Sequence, residues 1–243
     1  MPKKDTLFAN PLSALAAFRF DAAVVAVFED MIKRSVPGYD AIITMIGELA
    51  GRYARNNTNC YDLGCSLGAA TLAIAHGMEA TDCKIIGVDN SADMIDQCRQ
   101  NLAQHKNTVP IELICDDIGN VAINNASIVV LNFTLQFIPT EQRQILMDKI
   151  YQALIPGGVV IVSEKICFDD PYHQQLMTEL HHNFKRANGY SDLEIAQKRT
   201  ALENVLIPET LAQHKQRFLQ AGFSHSDVWF QCFNFASMLA IRT

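Results

Sequence analysis

Short apolar runs alternate with longer amphipathic stretches through the middle of this chain, and no other feature limits the fold as strongly. The β-like runs begin near Cys60, Ile85, Ile111, Ile128 and Val159. Helical periodicity fills the gaps at 67–76, 91–104 and 140–154. Ser91 is placed to cap the second of these, whose Met94, Ile95, Cys98 and Leu102 share one side. The third carries Ile145, Leu146, Ile150, Ala153 and Leu154 on one side, and Pro156-Gly157-Gly158 is expected to end it. Ile128-Val-Val-Leu131 and Val159-Val-Ile-Val162 are continuously apolar, as strands covered on both faces must be. Such alternation predicts an α/β fold, a doubly wound and mostly parallel sheet.

The two ends read differently. Residues 1–38 read as irregular but rich in aromatics, an N-terminal cap segment, and Pro37-Gly38 breaks the chain before a helix with Ile42, Ile43, Ile46, Leu49, Ala50 and Tyr53 on one face. From 171 to about 221 the pattern is helical without intervening strands, and we assign 165–221 as a helical insertion. Phe223–Phe235 and Ala236–Ile241 then read as a tightly joined, antiparallel strand pair. No internal repeat or long linker divides the 243 residues, so the reading is one domain, 1–243.

Composition narrows the function classes. The formal net charge is −6 and no basic run exceeds two residues, as at Lys33-Arg34, Lys185-Arg186 and Lys198-Arg199, which disfavours direct nucleic-acid binding. The longest wholly apolar run, Ala22–Phe28, has seven residues and is too short to span a membrane. Arg19 and Asp21 interrupt any signal-peptide pattern after Met1-Pro-Lys-Lys. The seven cysteines, Cys60, Cys65, Cys83, Cys98, Cys115, Cys167 and Cys232, are scattered and form no C-x-x-C, so they read as reduced core thiols of a cytosolic protein. His181-His182 with Glu179 lacks an i, i+4 histidine pair; it reads as a solvated helix face, and no metal is expected.

The chemistry is concentrated at strand ends. Asp62-Leu-Gly-Cys-Ser-Leu-Gly68 follows the first strand and opens a helix, where ligands of doubly wound folds sit. Its spacing is not the dinucleotide G-x-G-x-x-G and it lacks the Walker lysine, so an NAD-dependent oxidoreductase is disfavoured. Asp89 ends the second strand, where a carboxylate can accept from both ribose hydroxyls. Asp117 in Cys115-Asp-Asp-Ile118 can accept from an adenine amino group, and the fourth strand ends in Leu131-Asn-Phe-Thr134. Together these resemble the class I S-adenosylmethionine-dependent methyltransferase fold, with Ser66 in place of the usual middle glycine of the first motif. The amino-methyltransferase [D/N]-P-P-aromatic motif and a Pro-Cys nucleophile are both missing, which leaves a small-molecule reaction.

A later helix places Ile195, Arg199, Leu202 and Leu206 on one face, which sets an arginine inside an apolar stripe. Two readings stand: Arg199 snorkels or pairs with Glu203, or it is held in a partly dry site to pair with a carboxylate.

The stretches Arg34-Ser-Val-Pro-Gly-Tyr39, Tyr61-Asp-Leu-Gly-Cys-Ser66, Val130-Leu-Asn-Phe-Thr-Leu-Gln136, Gln197-Lys-Arg199, Leu202-Glu-Asn204 and Trp229-Phe-Gln-Cys-Phe-Asn-Phe235 are spread over nearly the whole length. On them the chain is similar to the carboxy-S-adenosyl-L-methionine synthase family. The resemblance implies a bacterial, cytoplasmic homodimer that turns S-adenosylmethionine and prephenate into carboxy-S-adenosylmethionine and phenylpyruvate. The product would supply a separate enzyme that installs 5-oxyacetic acid on wobble uridine of tRNA. It implies a site of Tyr39, Gly64, Cys65, Ser66, Asp89, Asn90, Asp117, Ile118, Asn132 and Arg199, with Arg199 balancing the new carboxylate and Cys65 serving through its backbone. Two other functions stay open: a small-molecule methyltransferase that moves the methyl intact, and a noncatalytic S-adenosylmethionine-binding partner.

Overall fold

The computed structural model describes residues 3–11, 17–106 and 109–243; parts of the expected cap segment, residues 1–2 and 12–16, lie outside these. The strands are β1 (Asn59–Leu63), β2 (Lys84–Asp89), β3 (Ile111–Cys115), β4 (Ala126–Asn132), β5 (Leu154–Lys165), β6 (His225–Cys232) and β7 (Phe235–Ile241). They form one sheet in the order β3-β2-β1-β4-β5-β7-β6. β1 to β5 are mutually parallel, and β7 inserts antiparallel between β5 and β6. This is the doubly wound sheet with a closing antiparallel pair that the alternation predicts. The order reverses between β1 and β4, which is the switch point where such folds open a crevice.

The helices are α1 (Ala22–Val25), α2 (Phe28–Ser35), α3 (Tyr39–Tyr53), α4 (Ala69–Gly77), α5 (Ala92–Ala103), α6 (Thr140–Ala153), α7 (Pro171–Ala187), α8 (Asp192–Leu202) and α9 (Leu211–Ala221), with a 3-10 turn at Leu135–Phe137. Leu146, Met147 and Ile150 of α6 and Phe218 of α9 cover one sheet face against Leu63, Val129, Leu131 and Val160. Ile42 and Ile46 of α3 and Ile74 of α4 cover the other against Ile128, Val130 and Ile161. Alternate residues of β4 therefore enter opposite cores, which is why its sequence shows no polar face. Burying each such side chain stabilises the fold by about 1.5–3 kcal/mol. α3 and α4 approach closely enough that a Cβ on Gly77 would lie 2.0 Å from the Gly47 carbonyl oxygen.

Three expectations need correcting. Residues 1–38 are not wholly irregular: Asp21 caps α1 by accepting from the Ala23 and Val24 N–H groups, and α2 follows. α1 has only four residues, too few for periodicity to stand out, whereas α2 is amphipathic and buries Phe28 and Met31. Pro156-Gly157-Gly158 does not terminate α6, which stops at Ala153; it lies inside β5. There Gly157, at φ +80°, donates to the Arg242 carbonyl and so continues the pairing with the chain's end. The strand expected over Phe223–Phe235 is shorter, because Phe233 adopts φ +52° and the chain turns at Phe233-Asn234. Among the described residues no helix is long and apolar enough to cross a membrane.

Candidate active site

Beyond the carboxyl ends of β1, β2 and β4 lies a cavity of about 670 Å³. Its floor is the turn after β1. Gly64 sits at φ +82° and a Cβ there would lie 2.3 Å from Thr134 Oγ1, so backbone rather than side chain faces the cavity. Ser66, at φ +47°, gives its N–H to Asp89 Oδ2 at 2.9 Å, and the Ser91 N–H takes Asp89 Oδ1 at 3.0 Å. Each oxygen keeps a free lone pair. Burial raises the Asp89 carboxyl pKa, and these two N–H groups oppose that shift. Beneath the turn Asp62 is fully buried; one oxygen accepts from Thr71 Oγ1 at 2.6 Å, and burial pushes its pKa up to about 6.

The other expected residues take their places along the wall. Tyr39, Gly64, Cys65, Ser66, Asp89, Asn90, Asp117, Ile118 and Asn132 all line the cavity. Asn132 Oδ1 is buried without a donor among the described residues. Asp117 is exposed, with Oδ1 accepting from the Gly119 N–H at 2.7 Å. Burial raises the pKa of the Tyr39 hydroxyl. A free lone pair on each Asp89 oxygen, a buried Asn132 carbonyl without a donor among the described residues and a turn whose Gly64 leaves no room for a Cβ against Thr134 are features that suit a nucleoside. Phe18, Phe20 and Phe137 close the same space; Phe20 packs edge-on against Phe18 and Phe137, with centroids 5.2 Å away in each case.

Sequence reasoning missed the opposite end of the cavity, where Lys165, Lys185, Lys198 and His181 converge. Lys198 Nζ contacts Ser35 Oγ at 3.1 Å and Asp5 Oδ2 at 3.8 Å, and Asp5 also accepts from the Tyr190 hydroxyl. Lys165 and Lys185 make no hydrogen bond through Nζ and no ion pair among the described residues, although Lys185 is only 8% exposed. Burial, then repulsion from Lys198 and Lys165, lowers the Lys185 pKa to about 7. Lys198 falls to about 8 through burial, with Asp5 opposing the shift. His181 is buried, not solvated as expected; its Nε2 lies 2.8 Å from the Ser35 carbonyl and its ring meets Phe235 at 4.8 Å. Burial, then Lys185 and Lys165, lowers its pKa to about 2, so the ring is neutral. The signal in the sequence is the i, i+4 spacing of His181 and Lys185 on α7, which a hydrophobic pattern does not register.

Arg199 is placed otherwise than its stripe predicts. It is exposed, lies off the cavity wall and makes no ion pair with Glu203 among the described residues. Ile195 is buried, and Leu202 and Leu206 line the cavity. The buried face of α8 instead runs through Glu194, Lys198 and Ala201. Polar residues hold that face inward: Glu194 completes a capping box with Ser191, and Gln197 donates to the Phe8 and Asn10 carbonyls. Arg199 still acts at this end of the cavity, since burial and then its charge lower the Lys165 pKa. Of the cysteines, Cys60, Cys65, Cys83 and Cys98 are buried and Cys115 is exposed; all seven are free thiols. A hydrogen bond with Cys98, together with burial, raises the Cys65 thiol pKa, so this group is no nucleophile.

The chain matches a methyltransferase-domain family over residues 60–158. It is 60% identical over 241 residues to a carboxy-S-adenosyl-L-methionine synthase of Geobacter sp. (strain M21), covering 99% of each chain. It is 54% identical over 239 residues to the enzyme of that name from Pasteurella multocida (strain Pm70), covering 98% of this chain and 99% of the relative. The chain belongs to the carboxy-S-adenosyl-L-methionine synthase family. It is therefore a transferase-type enzyme on a methyltransferase fold. Solved structures share that fold at low identity. A putative S-adenosyl-L-methionine-dependent methyltransferase of Methanococcus maripaludis superposes with a TM-score of 0.62 at 17% identity, covering 95% of this chain and 97% of its own. Human N-acetylserotonin methyltransferase, solved with S-adenosylmethionine, gives 0.61 at 16%, covering 91% and 55%.

Proposed function

We propose that the enzyme converts S-adenosylmethionine and prephenate to carboxy-S-adenosylmethionine, phenylpyruvate and water. The observation that carries this reading is one cavity with two chemically opposite ends. Asp89, Asn132 and the Gly64 turn suit a nucleoside, and Lys165 and Lys185 suit an acid. The family names of the relatives support the product.

The balance of the reaction explains why no side-chain base is needed. Prephenate loses its ring carboxylate and ring hydroxyl as it aromatises. The carboxyl carbon forms a bond to the sulfonium methyl carbon, and the displaced hydroxide takes the methyl proton as water. The protein has to hold both substrates together and exclude bulk water; Phe18, Phe20 and Phe137 suit that task. Arg199, though off the cavity wall, balances the new carboxylate from the end where its charge already acts on Lys165. Asp89 and Asn132 hold the nucleoside, and Tyr39 and the Ser66 turn shape its pocket.

The same reading makes the enzyme a cytoplasmic homodimer with no metal, whose product serves a separate enzyme that modifies wobble uridine of tRNA. The deciding experiment is incubation with both substrates, followed by mass spectrometry of the nucleoside. S-adenosylmethionine heavier by one carbon dioxide is expected, with one phenylpyruvate per nucleoside. S-adenosylhomocysteine together with a methylated acid would replace this reading by intact methyl transfer.

A further inference from the structure

We propose that Lys165 and Lys185 grip the carboxylate that the acid substrate keeps through the reaction, not the one that it gives up. The inference rests on the reading of the reaction above and assigns to that site a subsite for the substrate's pyruvyl end.

Two ammonium groups without a carboxylate between them are costly to hold away from water. Of the lysines at this end, only Lys198 has an ion-pair partner among the described residues, Asp5. Lys165 ends β5 and Lys185 lies in the last turn of α7, so separate elements bring the two charges to one cavity. The carboxylate next in sequence, Glu164, is turned away on the opposite side of the strand, where it accepts from the Leu135 and Gln136 N–H groups at 2.8 and 3.0 Å. The imidazole between the lysines is neutral and fixed on the Ser35 carbonyl, so it neither repels an anion nor supplies one. Lys198 keeps its own counter-charge in Asp5 and repels Lys185, and that repulsion outweighs the attraction of Asp5 for Lys185. A bound acid supplies the missing negative charge.

The choice between the substrate's two carboxylates follows from where charge goes. A carboxylate leaving as carbon dioxide sheds its charge as the bond breaks. Ammonium groups on it stabilise the ground state more than the transition state and slow the reaction. The pyruvyl carboxylate stays ionised throughout. Holding it favours substrate and transition state equally and serves binding and orientation.

The test compares Lys165→Gln, Lys185→Gln and Lys185→Arg with wild type. Turnover of S-adenosylmethionine and prephenate is measured alongside inhibition by phenylpyruvate, which carries only the retained carboxylate. Each Gln variant should raise KM for prephenate about tenfold to a hundredfold, the range of a charged hydrogen bond, and weaken phenylpyruvate by the same factor. The kcat should stay within a few-fold. Lys185→Arg, which keeps the charge, should recover most of the loss. Without acid, Lys185→Gln should be as stable as wild type or more so, because it removes a buried cation that has no partner; a structural lysine would lose stability. Calorimetry with S-adenosylmethionine alone should give wild-type affinity. Unchanged KM in both Gln variants, or raised KM with unaltered phenylpyruvate inhibition, overturns the assignment. If wild type itself makes no carboxylated nucleoside, the reaction assigned above fails first, and the two failures are distinguished.

Discussion

The Ser66 N–H donates to Asp89 Oδ2 at 2.9 Å, and this bond ties the turn after β1 to the end of β2. The acid proposed to meet the ligand is thus also the brace of the glycine turn, and that second role exists before any ligand arrives.

Asp89→Ala should lower S-adenosylmethionine affinity by about 2–4 kcal/mol, with charged hydrogen bonds at the upper end of that range. It removes the ribose acceptors and releases the Ser66 N–H together. Asp89→Asn keeps one acceptor oxygen for that N–H and should lose less. Calorimetry on both variants checks this, and wild-type affinity in Asp89→Ala would show that the nucleoside binds elsewhere.

Gly64→Ala should cost about 1–3 kcal/mol of fold stability and reduce S-adenosylmethionine binding sharply. An L side chain is strained at φ +82°, and its Cβ would meet Thr134 Oγ1 at 2.3 Å. The urea midpoint and calorimetry read the two effects separately. Pairing it with Thr134→Ser or Thr134→Ala should recover part of the clash and none of the dihedral strain.

The strands and the nucleoside end were legible because both are written locally. β4 and β5 are apolar runs, and each functional residue after them sits at a strand's carboxyl end, where chain order alone places it. The cationic end was not legible. Lys165, Lys185 and Lys198 lie on β5, α7 and α8, and what makes them notable is that among the described residues only one carboxylate, Asp5, pairs with any of them. That fact depends on where residues 3–11 cross α8, which Gln197 fixes through carbonyl contacts with no sequence periodicity. The exposure of Arg199 is not legible for a related reason: the stripe Ile195, Leu202 and Leu206 is apolar, while Glu194 and Lys198 turn the helix inward by polar contacts.

His214 should contribute a loss of stability as pH falls from about 6.5 toward 4, against the buried carboxyls Asp62 and Glu164, whose raised pKa values act in the opposite direction. Its side chain is 2% exposed, has no protein partner among the described residues and faces Arg217, Arg143 and Glu209. Burial first, then Arg217, lowers its pKa to about 4, while the unfolded chain has about 6.5. Between those values the unfolded state binds the extra proton, so stability rises with pH and is lost on acidification. By pH 4 the loss is on the order of 3 kcal/mol. Urea midpoints at pH 7 and pH 5 should differ less in His214→Leu than in wild type. Equal differences would show that the imidazole is not held neutral.

Purified protein should show no specific tRNA binding near physiological salt. The net charge is −6 and no basic run exceeds two residues, while the lysines of the cavity point inward to a small-molecule space. A gel shift of submicromolar affinity would reopen direct action on tRNA.

Arg199→Ala should weaken carboxy-S-adenosylmethionine selectively. S-adenosylmethionine lacks the added carboxylate, and Arg199 lies off the wall that Asp89, Asn132 and the Gly64 turn provide, so its affinity should change little. Affinity for the carboxylated product should fall by about 2–5 kcal/mol if ligand binding removes the pair from water. Much of that figure would be the cost of leaving the carboxylate unpaired. Arg199→Lys keeps a charge and loses the planar fork, so it should fall between wild type and Ala. The side chain's exposure makes the comparison clean, since no packing is lost on truncation and both variants should unfold at the wild-type urea midpoint. The Lys185→Gln variant is the counterpart control: it should weaken the acid substrate and leave the carboxylated nucleoside untouched. Calorimetry with both nucleosides on all three variants reads the pattern. If Arg199→Ala weakens both nucleosides equally, or neither, Arg199 does not meet the new carboxylate, and its charge serves only the electrostatics of Lys165 at the rim.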